Sequence, residues 1–332
     1  MSEPLTVADI EAAADTVYAT IGAPTPAIAW PLLAKRAGCD VWVKHENHTP
    51  TGAFKVRGGL VYIDNLAKIA ARSGDKSANK PAGVIAATRG NHGQSIALAA
   101  RKAGLRAVIY VPDGNSVEKN AAMAALGAEL VVHGRDFDEA YAACRQAALD
   151  QGLHMVPSFD PLLVAGVATY SLEFFRQAPE LDVVYVPVGM GSGICGMIAA
   201  RDALGLKTDI VGVVAEGAPA IALSFAAGRP APTNEARTFA DGLACRVPHA
   251  AALDIMLKGA ARIVQVSDDA IAGAIRAYFQ DTHNLAEGAG AAPLAALLSE
   301  RDKLRGKTAG VILSGGNIDR PQYATILAGA TP

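Results

Sequence analysis

The sequence predicts an α/β protein with two lobes, each a mostly parallel, twisted sheet covered by helices. Its 332 residues exceed what one small core needs, and 51% are hydrophobic against 19% charged, which is typical of an ordered globular chain. Short β-branched runs alternate with Ala-rich stretches of helical period, a pattern that favours parallel sheets with helices on both faces. We expect residues 48–160 to form the smaller lobe and residues 1–47 and 161–332 the larger one.

Short apolar runs rich in β-branched residues predict the strands Asp40–Lys44, Gly83–Ala87, Ala107–Val111, Glu129–Val132, Val183–Pro187, Ile210–Ala215, Arg262–Val266 and Ala309–Leu313. Helical periodicity predicts helices at Val7–Ile21, Lys55–Arg72, His92–Ala103, Val117–Leu126, Phe137–Asp150, Ala165–Arg176, Gly193–Leu204, Asp268–Asp281 and near Ala291–Arg301. Ser73–Pro81 is predicted to be a polar surface loop and Gly228–Thr233 a Pro-rich connection. Because ligands in such folds gather at the carboxyl ends of strands, the turns that follow strands are the candidate sites.

Charge and composition argue against several partners. A net charge of −2, without a Lys/Arg-dense block, argues against nucleic acid and anionic membranes. No apolar run could span a bilayer, and the acidic N-terminus lacks the order of a secretion signal, so we expect a cytoplasmic location without membrane contact. The scattered cysteines are interpreted as small buried hydrophobic residues rather than disulfides or zinc ligands: Cys39, Cys144, Cys195 and Cys245.

Lys55 stands where a predicted strand and a Thr-Pro-Thr-Gly turn lead into a predicted helix. A lysine in the first turn of a helix meets the positive end of the helix dipole, which disfavours the ammonium form and makes the amine more nucleophilic. Taken alone, such a lysine is more often a solvated surface residue. Lys55 is therefore a candidate nucleophile that needs support from other segments.

Three further segments place glycines or a hydroxyl just after a predicted strand. Thr88–His92 is either a seat for a carboxylate or only a strand–helix turn. Gly189–Gly193 can hold a phosphate through backbone N–H groups and the Ser192 hydroxyl, although it lacks a P-loop ending and can instead be a tight packing turn. Ser314 can hydrogen-bond a ligand nitrogen or serve only as a turn residue.

Together these motifs resemble the threonine/serine dehydratase family, which depends on pyridoxal 5′-phosphate (PLP) and shares fold type II with serine racemase and tryptophan synthase β. The matching motifs are Thr-Gly-Ala-Phe-Lys-Val-Arg-Gly from residue 51, Gly-Asn-His-Gly-Gln from 90, Gly-Met-Gly-Ser-Gly from 189 and Ser-Gly-Gly-Asn from 314. Their order and spacing are those of the family over roughly residues 20–325. The resemblance implies a fold-type II enzyme with PLP as its cofactor.

The resemblance also implies a role for each matching residue. Lys55 is similar to the lysine that forms a Schiff base with PLP and later takes the Cα proton. The other residues implied to contact the cofactor come from several segments: Phe54 beside the ring, Asn91 at the phenolic oxygen, Gly189, Met190, Gly191, Ser192 and Gly193 around the phosphate, and Ser314 at the pyridine nitrogen. Glu287 is similar to an acid at the rear of the site that could orient Lys55 or water; the alternative is an acid that only interacts with a helix dipole.

The implied substrate-carboxylate loop consists of Thr88, Arg89, Gly90, Asn91 and His92. Arg89 departs from the family, whose members commonly carry a small residue there and whose racemase uses a serine as an acid and base. A guanidinium is permanently charged and transfers protons poorly, so racemisation is disfavoured. Arg89 can instead pair with a second substrate carboxylate, as in 3-hydroxyaspartate, or form a structural ion pair.

The implied reaction is dehydration of a β-hydroxy-α-amino acid such as threonine, serine, 3-hydroxyaspartate or phenylserine to a 2-oxo acid and ammonia. A hydroxyl at Ser314 does not keep a proton on the cofactor ring as an aspartate would, which favours prompt expulsion of a β-leaving group. Two alternatives remain: a β-replacement synthase, and a non-catalytic protein that binds PLP or an amino acid. The resemblance also implies a homodimer.

A tight metal site is not expected. Metal-binding members of the family place two acids and a backbone carbonyl after the strand that follows the phosphate loop. Glu216 matches the first acid, but Ala222 occupies the approximate place of the second. A divalent ion with one carboxylate is weakly held.

Overall fold

A computed structural model of the protein describes residues 4–72 and 82–332; the predicted loop Ser73–Pro81 lies outside them. The strands are β1 (Ala27–Ala29), β2 (Asp40–His45), β3 (Val84–Ala87), β4 (Ala107–Val111), β5 (Glu129–Val132), β6 (His154–Met155), β7 (Val183–Pro187), β8 (Asp209–Ala215), β9 (Arg262–Val266) and β10 (Thr308–Leu313). The helices are α1 (Val7–Ile21), α2 (Pro31–Ala37), α3 (Lys55–Arg72), α4 (Asn91–Lys102), α5 (Val117–Ala125), α6 (Phe137–Gln151), α7 (Pro161–Gln177), α8 (Ser192–Ala203), α9 (Ala220–Ala227), α10 (Ala250–Gly259), α11 (Asp268–Thr282), α12 (Gly288–Ser299) and α13 (Arg320–Leu327). Short 3₁₀ helices cover Glu46–His48, Asp241–Leu243 and Arg301–Leu304.

The strands of the described residues form two sheets. The large sheet has the order β1-β2-β10-β7-β8-β9, in which β1 runs antiparallel to β2 and the other pairs are parallel. The small sheet has the order β5-β4-β3-β6 and is parallel throughout. This arrangement confirms the predicted α/β class with parallel sheets. The lobe boundaries at residues 48 and 160 stay a prediction.

The predicted elements agree with the structure most closely where the periodicity is long or strongly apolar. Both bounds are as predicted for β4, β5, β7, β9, α1 and α3. Helix α7 begins at Pro161, four residues before the predicted start, because Asp160 caps it by accepting a hydrogen bond from the Leu162 N–H and proline suits a first helical position. The elements that the sequence did not predict are short: β1, β6, α2, α9, α10 and α13.

A buried charged cluster lies behind the start of α3. The Arg57 side chain is fully buried and pairs with Glu46 and Glu173, whose own side chains are almost inaccessible. Lys44 completes the cluster through a 2.6 Å contact between its Nζ and Glu173 Oε2. The two cations and two carboxylates balance, so the cluster joins β2, α3 and α7 without leaving a buried net charge.

The cysteines and the apolar helices of the described chain were also the subject of sequence predictions. All four cysteines are free and buried, as predicted. Among the helices of the described residues, none has both the length and the apolar character needed to cross a membrane.

Candidate active site

The turn before Lys55 is fixed to the end of β10. Gly52 has φ +66°, a left-handed conformation that favours glycine, and Ala53 forms an antiparallel bridge with Gly315. The Phe54 N–H donates to the Ser314 carbonyl at 2.9 Å. Helix α3 then begins at Lys55, as predicted. The fold therefore brings the predicted lysine and the predicted serine, which are far apart in sequence, to one place.

The Lys55 amine is placed as a reactive nucleophile. Its Nζ lies 5.1 Å from the centroid of the Phe54 ring. Removal from bulk water lowers the pKa of Lys55, and the Glu287 carboxylate only partly opposes this effect. Nζ has no hydrogen bond or ion pair with any residue in 4–72 or 82–332. An amine with a lowered pKa and no partner is available to attack an aldehyde.

The glycine loop after β7 has the geometry of a phosphate cradle. Gly191 caps α8 with φ +99°, and a Cβ there would lie 2.9 Å from the Ala252 Cβ, so a side chain is excluded by conformation and by space. Within the described residues, the backbone N–H groups of Gly191, Ser192 and Gly193 have no acceptor, nor does the buried Ser192 hydroxyl have a partner. Free donors at a helix start suit a phosphate. The helix starts at Ser192, one residue earlier than predicted.

The same loop borders the Lys55 turn. A Cβ on Gly193 would lie 3.7 Å from the Phe54 ring, and Met190 contacts Cys245 through their sulfur atoms at 3.7 Å. Ser314 follows β10 directly and is buried, and its hydroxyl has no hydrogen bond to another described residue. The predicted phosphate loop and the predicted nitrogen partner thus lie around one lysine.

The predicted carboxylate loop follows β3. The Thr88 hydroxyl accepts a hydrogen bond from the Gly90 N–H at 3.0 Å, and α4 begins at Asn91, one residue before its predicted start. His92 Nε2 is buried without a partner among the described residues, and burial and the Lys55 charge lower the pKa of His92 to about 3. This imidazole is therefore neutral near pH 7. Arg89 is exposed, and no ion pair within the described ranges involves it.

Asn91 is held from both ends of its amide. Its Nδ2 donates to Glu287 Oε1 at 2.7 Å, and its Oδ1 accepts from Asn317 Nδ2 at 2.8 Å. Asn317 in turn donates to the Thr51 carbonyl at 2.8 Å. Because Asn317 fixes which end of the amide carries the donor, the second Nδ2 hydrogen of Asn91 is free for a ligand oxygen.

Glu287 is a buried acid in an unusual balance of charges. It caps the start of α12, and burial raises the pKa of Glu287 to about 7, with Lys119 opposing the rise and Asp241 adding to it. Its Oε2 is one of the buried oxygens that lack a hydrogen-bond partner in the described residues. Glu287 thus lies at a helix start, as the sequence suggested, and its role as an acid that orients Lys55 or water stays a prediction.

Sequence reasoning missed Asn317, Lys119 and Asp241. Asn317 belonged to a quoted motif without receiving a role, whereas Lys119 and Asp241 lie in segments with no motif. Lys119 is buried although it is a lysine, and this is visible only in the folded chain. Glu216 is exposed after β8, and the described residues contain no group of three His, Cys, Asp or Glu side chains placed to hold a metal.

The residues present fit PLP. The phosphate would be held by the free N–H groups and hydroxyl at Gly191–Gly193, the aldehyde would meet Lys55, and the phenolic oxygen would meet the oriented Asn91 amide. The Ser314 hydroxyl would be the partner of the pyridine nitrogen. Each of these groups is a polar atom that lacks a partner or has a spare hydrogen in the described chain, which is the condition that a preformed polar site requires.

Known proteins agree with this fit. The family model described as "Pyridoxal-phosphate dependent enzyme" matches residues 19–315. An L-threonine ammonia-lyase of Thermotoga maritima is 34% identical over 289 residues, which are 87% of this chain and 70% of that relative. The L-threo-3-hydroxyaspartate ammonia-lyase of Saccharomyces cerevisiae is 31% identical over 92% of this chain and 91% of its own length.

The solved structures include the processed form of threonine deaminase isoform 2 from Solanum lycopersicum. It superposes with a TM-score of 0.86 over 98% of this chain and 96% of its own, at 28% identity. At this identity and coverage the two chains share a fold over nearly all of their length.

Proposed function

The chain belongs to the pyridoxal-phosphate dependent enzyme family and is a hydroxy-amino-acid ammonia-lyase, and we propose that Lys55 is the residue that binds its cofactor covalently. The reaction is a β-elimination that converts a β-hydroxy-α-amino acid into a 2-oxo acid and ammonia. The observation that carries the assignment is the Lys55 amine, which has a lowered pKa and no partner among the described residues, and whose turn borders the glycine loop.

The residues of the site have separate roles in this reaction. Bound PLP supplies an electron-withdrawing ring that stabilises negative charge at the substrate α-carbon. Lys55 would hold the cofactor aldehyde, and its Nζ would accept the Cα proton of the substrate. Gly191–Gly193 would hold the phosphate, Asn91 would donate to the phenolic oxygen, and Phe54 would pack near the ring. Ser314, as a neutral hydroxyl, would leave the pyridine nitrogen without a fixed proton and so would favour loss of the β-substituent.

We propose further that Arg89 selects a substrate with a second carboxylate, of the 3-hydroxyaspartate type. Arg89 is an exposed residue of the loop Thr88–His92 and has no ion pair in the described chain, so its guanidinium is available to an anion. The alternative, a structural ion pair, is not formed with any residue that the structure describes. The similarity to a relative that is named for 3-hydroxyaspartate supports the same substrate class.

A panel of L-threonine, L-serine, threo-3-hydroxyaspartate and phenylserine, assayed for oxo acid, tests these proposals. The wild-type protein should release oxo acid without any added acceptor, whereas a β-replacement synthase would release little. Lys55→Ala should abolish turnover. It should also lack the absorbance near about 410 nm that general cofactor chemistry gives for PLP bound to a lysine. If borohydride reduction labels another lysine, the Lys55 assignment is wrong.

The Arg89 proposal is tested by Arg89→Gln in the same panel. A lost bidentate contact to a carboxylate should lower kcat/KM for 3-hydroxyaspartate by about 10–100-fold. The values for threonine and serine should stay within about twofold of wild type, because neither carries a second carboxylate. An equal loss for every substrate would show instead that Arg89 supports the loop rather than the side chain of the substrate.

We also propose that the enzyme acts in the cytoplasm as a homodimer. The four free, buried cysteines support the first statement, because disulfides are rare in proteins of the reducing cytoplasm but common outside it. The resemblance to its family supports the second. Light scattering after size-exclusion chromatography would refute the second by returning the mass of one 34.1 kDa chain.

A further inference from the structure

Lys119 is a buried lysine at the boundary between the two sheets. It lies in the first turn of α5, on the small-sheet side, with 7% of its side chain accessible. Its aliphatic part packs under the carboxylate loop, since a Cβ added to Gly90 would lie 2.5 Å from Lys119 Cδ. A long cationic side chain in this position must have its charge compensated nearby.

Two carboxylates of the large-sheet side provide that compensation. Lys119 Nζ lies 2.5 Å from Asp241 Oδ2, which is partly exposed, and 3.7 Å from Glu287 Oε2, which is buried. Glu287 Oε2 has no hydrogen-bond partner in the described chain, so the ammonium of Lys119 is the charge that faces it. The opposite oxygen, Oε1, receives the Asn91 amide. Lys119 is thus connected through one carboxylate to a residue assigned to the cofactor.

Further contacts of the same helix reach the segment that follows Ser314. The Ser116 hydroxyl donates to Asp319, and Glu118 Oε1 accepts from the Arg320 N–H at 3.0 Å. These contacts cross between the same two parts of the chain without touching Glu287. Removing one of them loosens α5 without changing the charges around Glu287, so the attachment of α5 can be tested separately from the ionisation of Glu287.

We propose that Lys119 is a positioning residue that fastens α5 to Asp241 across the active site and whose ammonium compensates the Glu287 carboxylate that orients Asn91. The inference rests on the proposed function of Asn91 toward the cofactor. It predicts two separable effects: loss of the Lys119–Asp241 contact loosens α5, and loss of the Lys119 charge favours a protonated Glu287, which accepts the Asn91 hydrogen bond less well.

The charged groups that face Glu287 make its pKa shift in opposite directions in two variants. They are Lys119 from α5, Lys55 from α3 and Asp241 from the 3₁₀ helix, with the Asn91 amide from α4. Removing Lys119 deletes an opposing positive charge, so the pKa of Glu287 rises. Removing the charge of Asp241 deletes a negative neighbour and leaves the ammonium to Glu287, so the pKa falls. Both changes break the contact across the site.

The experiment compares wild-type holoenzyme with Lys119→Met, Asp241→Asn and Ser116→Ala. Backbone hydrogen exchange over residues 117–125 reports how firmly α5 is held. The pH dependence of the cofactor absorbance and of kcat/KM reports the ionisation of Glu287.

Lys119→Met should speed exchange and move the acid limb of both pH profiles upward by about one pH unit. Asp241→Asn should also speed exchange but move the acid limb downward. Ser116→Ala should speed exchange and leave the acid limb in place.

The proposal is overturned if Lys119→Met leaves either the exchange or the acid limb unchanged, or if Asp241→Asn moves the limb upward. Should Lys119→Met not fold, the direction of the shift in Asp241→Asn decides, because this partly exposed residue tolerates a neutral isostere. If the wild-type holoenzyme bound PLP but eliminated no hydroxy amino acid, the proposed function would fail, while the exchange and absorbance measurements would still test Lys119.

Discussion

Replacing Arg57 by methionine should destabilise the protein severely. The Arg57 side chain makes hydrogen bonds at 2.6–3.2 Å to Glu46, Glu173, Thr25 and Thr169, and none of it is accessible to solvent. Methionine fills a similar volume but removes one positive charge, so Lys44 alone would face two buried carboxylates. Removing one member of a buried ion pair costs about 3–5 kcal/mol.

That loss is large against a typical total stability of about 5–15 kcal/mol. The free energy of unfolding is measured by urea denaturation followed by far-UV circular dichroism. Arg176→Met is the matched control, because Arg176 lies on the same helix as Glu173 and pairs with Glu11, both half exposed. The control should cost less than about 1 kcal/mol. A loss for Arg57→Met as small as that of the control would refute the reasoning.

The pH dependence provides a second test of the same cluster. Burial alone would raise the pKa of Glu173, but the charges and hydrogen bonds of Arg57 and Lys44 outweigh it and lower the pKa. A lowered pKa in the folded state stabilises the protein above the ordinary pKa of the carboxyl, and this stabilisation is lost as pH falls through the folded value. The stability difference between wild type and Arg57→Met should therefore narrow in acid, and a constant difference would contradict the role of charge.

Two further predictions concern the phosphate cradle and a second buried carboxylate. Gly191→Ala should weaken PLP binding by about tenfold or more, since φ +99° costs an alanine roughly 1–2 kcal/mol and its Cβ would meet Ala252. Titration of the cofactor absorbance measures the affinity. The control Gly228→Ala, also at positive φ but in open space, should bind PLP as wild type does. Burial opposes ionisation of Glu300, yet hydrogen bonds from Arg262, Lys303 and Tyr185 lower the pKa of Glu300 to about 2. Glu300→Gln should thus lower the thermal midpoint at pH 7, with the difference from wild type vanishing as pH falls from 4.5 toward 2; a difference that persists there would show a packing effect instead.

The sequence alone predicted the parts of this protein that depend on local chemistry. Periodicity identified β4, β7 and α3 with both bounds, because a buried parallel strand or a long amphipathic helix leaves a pattern that its own residues carry. The turns at Lys55 and Gly189–Gly193 were predicted for the same reason, since a helix start and a left-handed glycine are properties of a few consecutive residues. Short elements such as β6, with two residues, carry too little pattern to be recognised.

Only the tertiary structure decided which distant groups meet. Asn91 and Glu287 are 196 positions apart and Lys119 and Asp241 are 122 apart, yet each pair is in contact. No spacing rule connects such residues, because the crossover connections between parallel strands and the packing of helices determine which chain segments become neighbours. For the same reason Lys119 of α5 is buried next to the active site, where Asp241 and Glu287 from the large-sheet side compensate its charge.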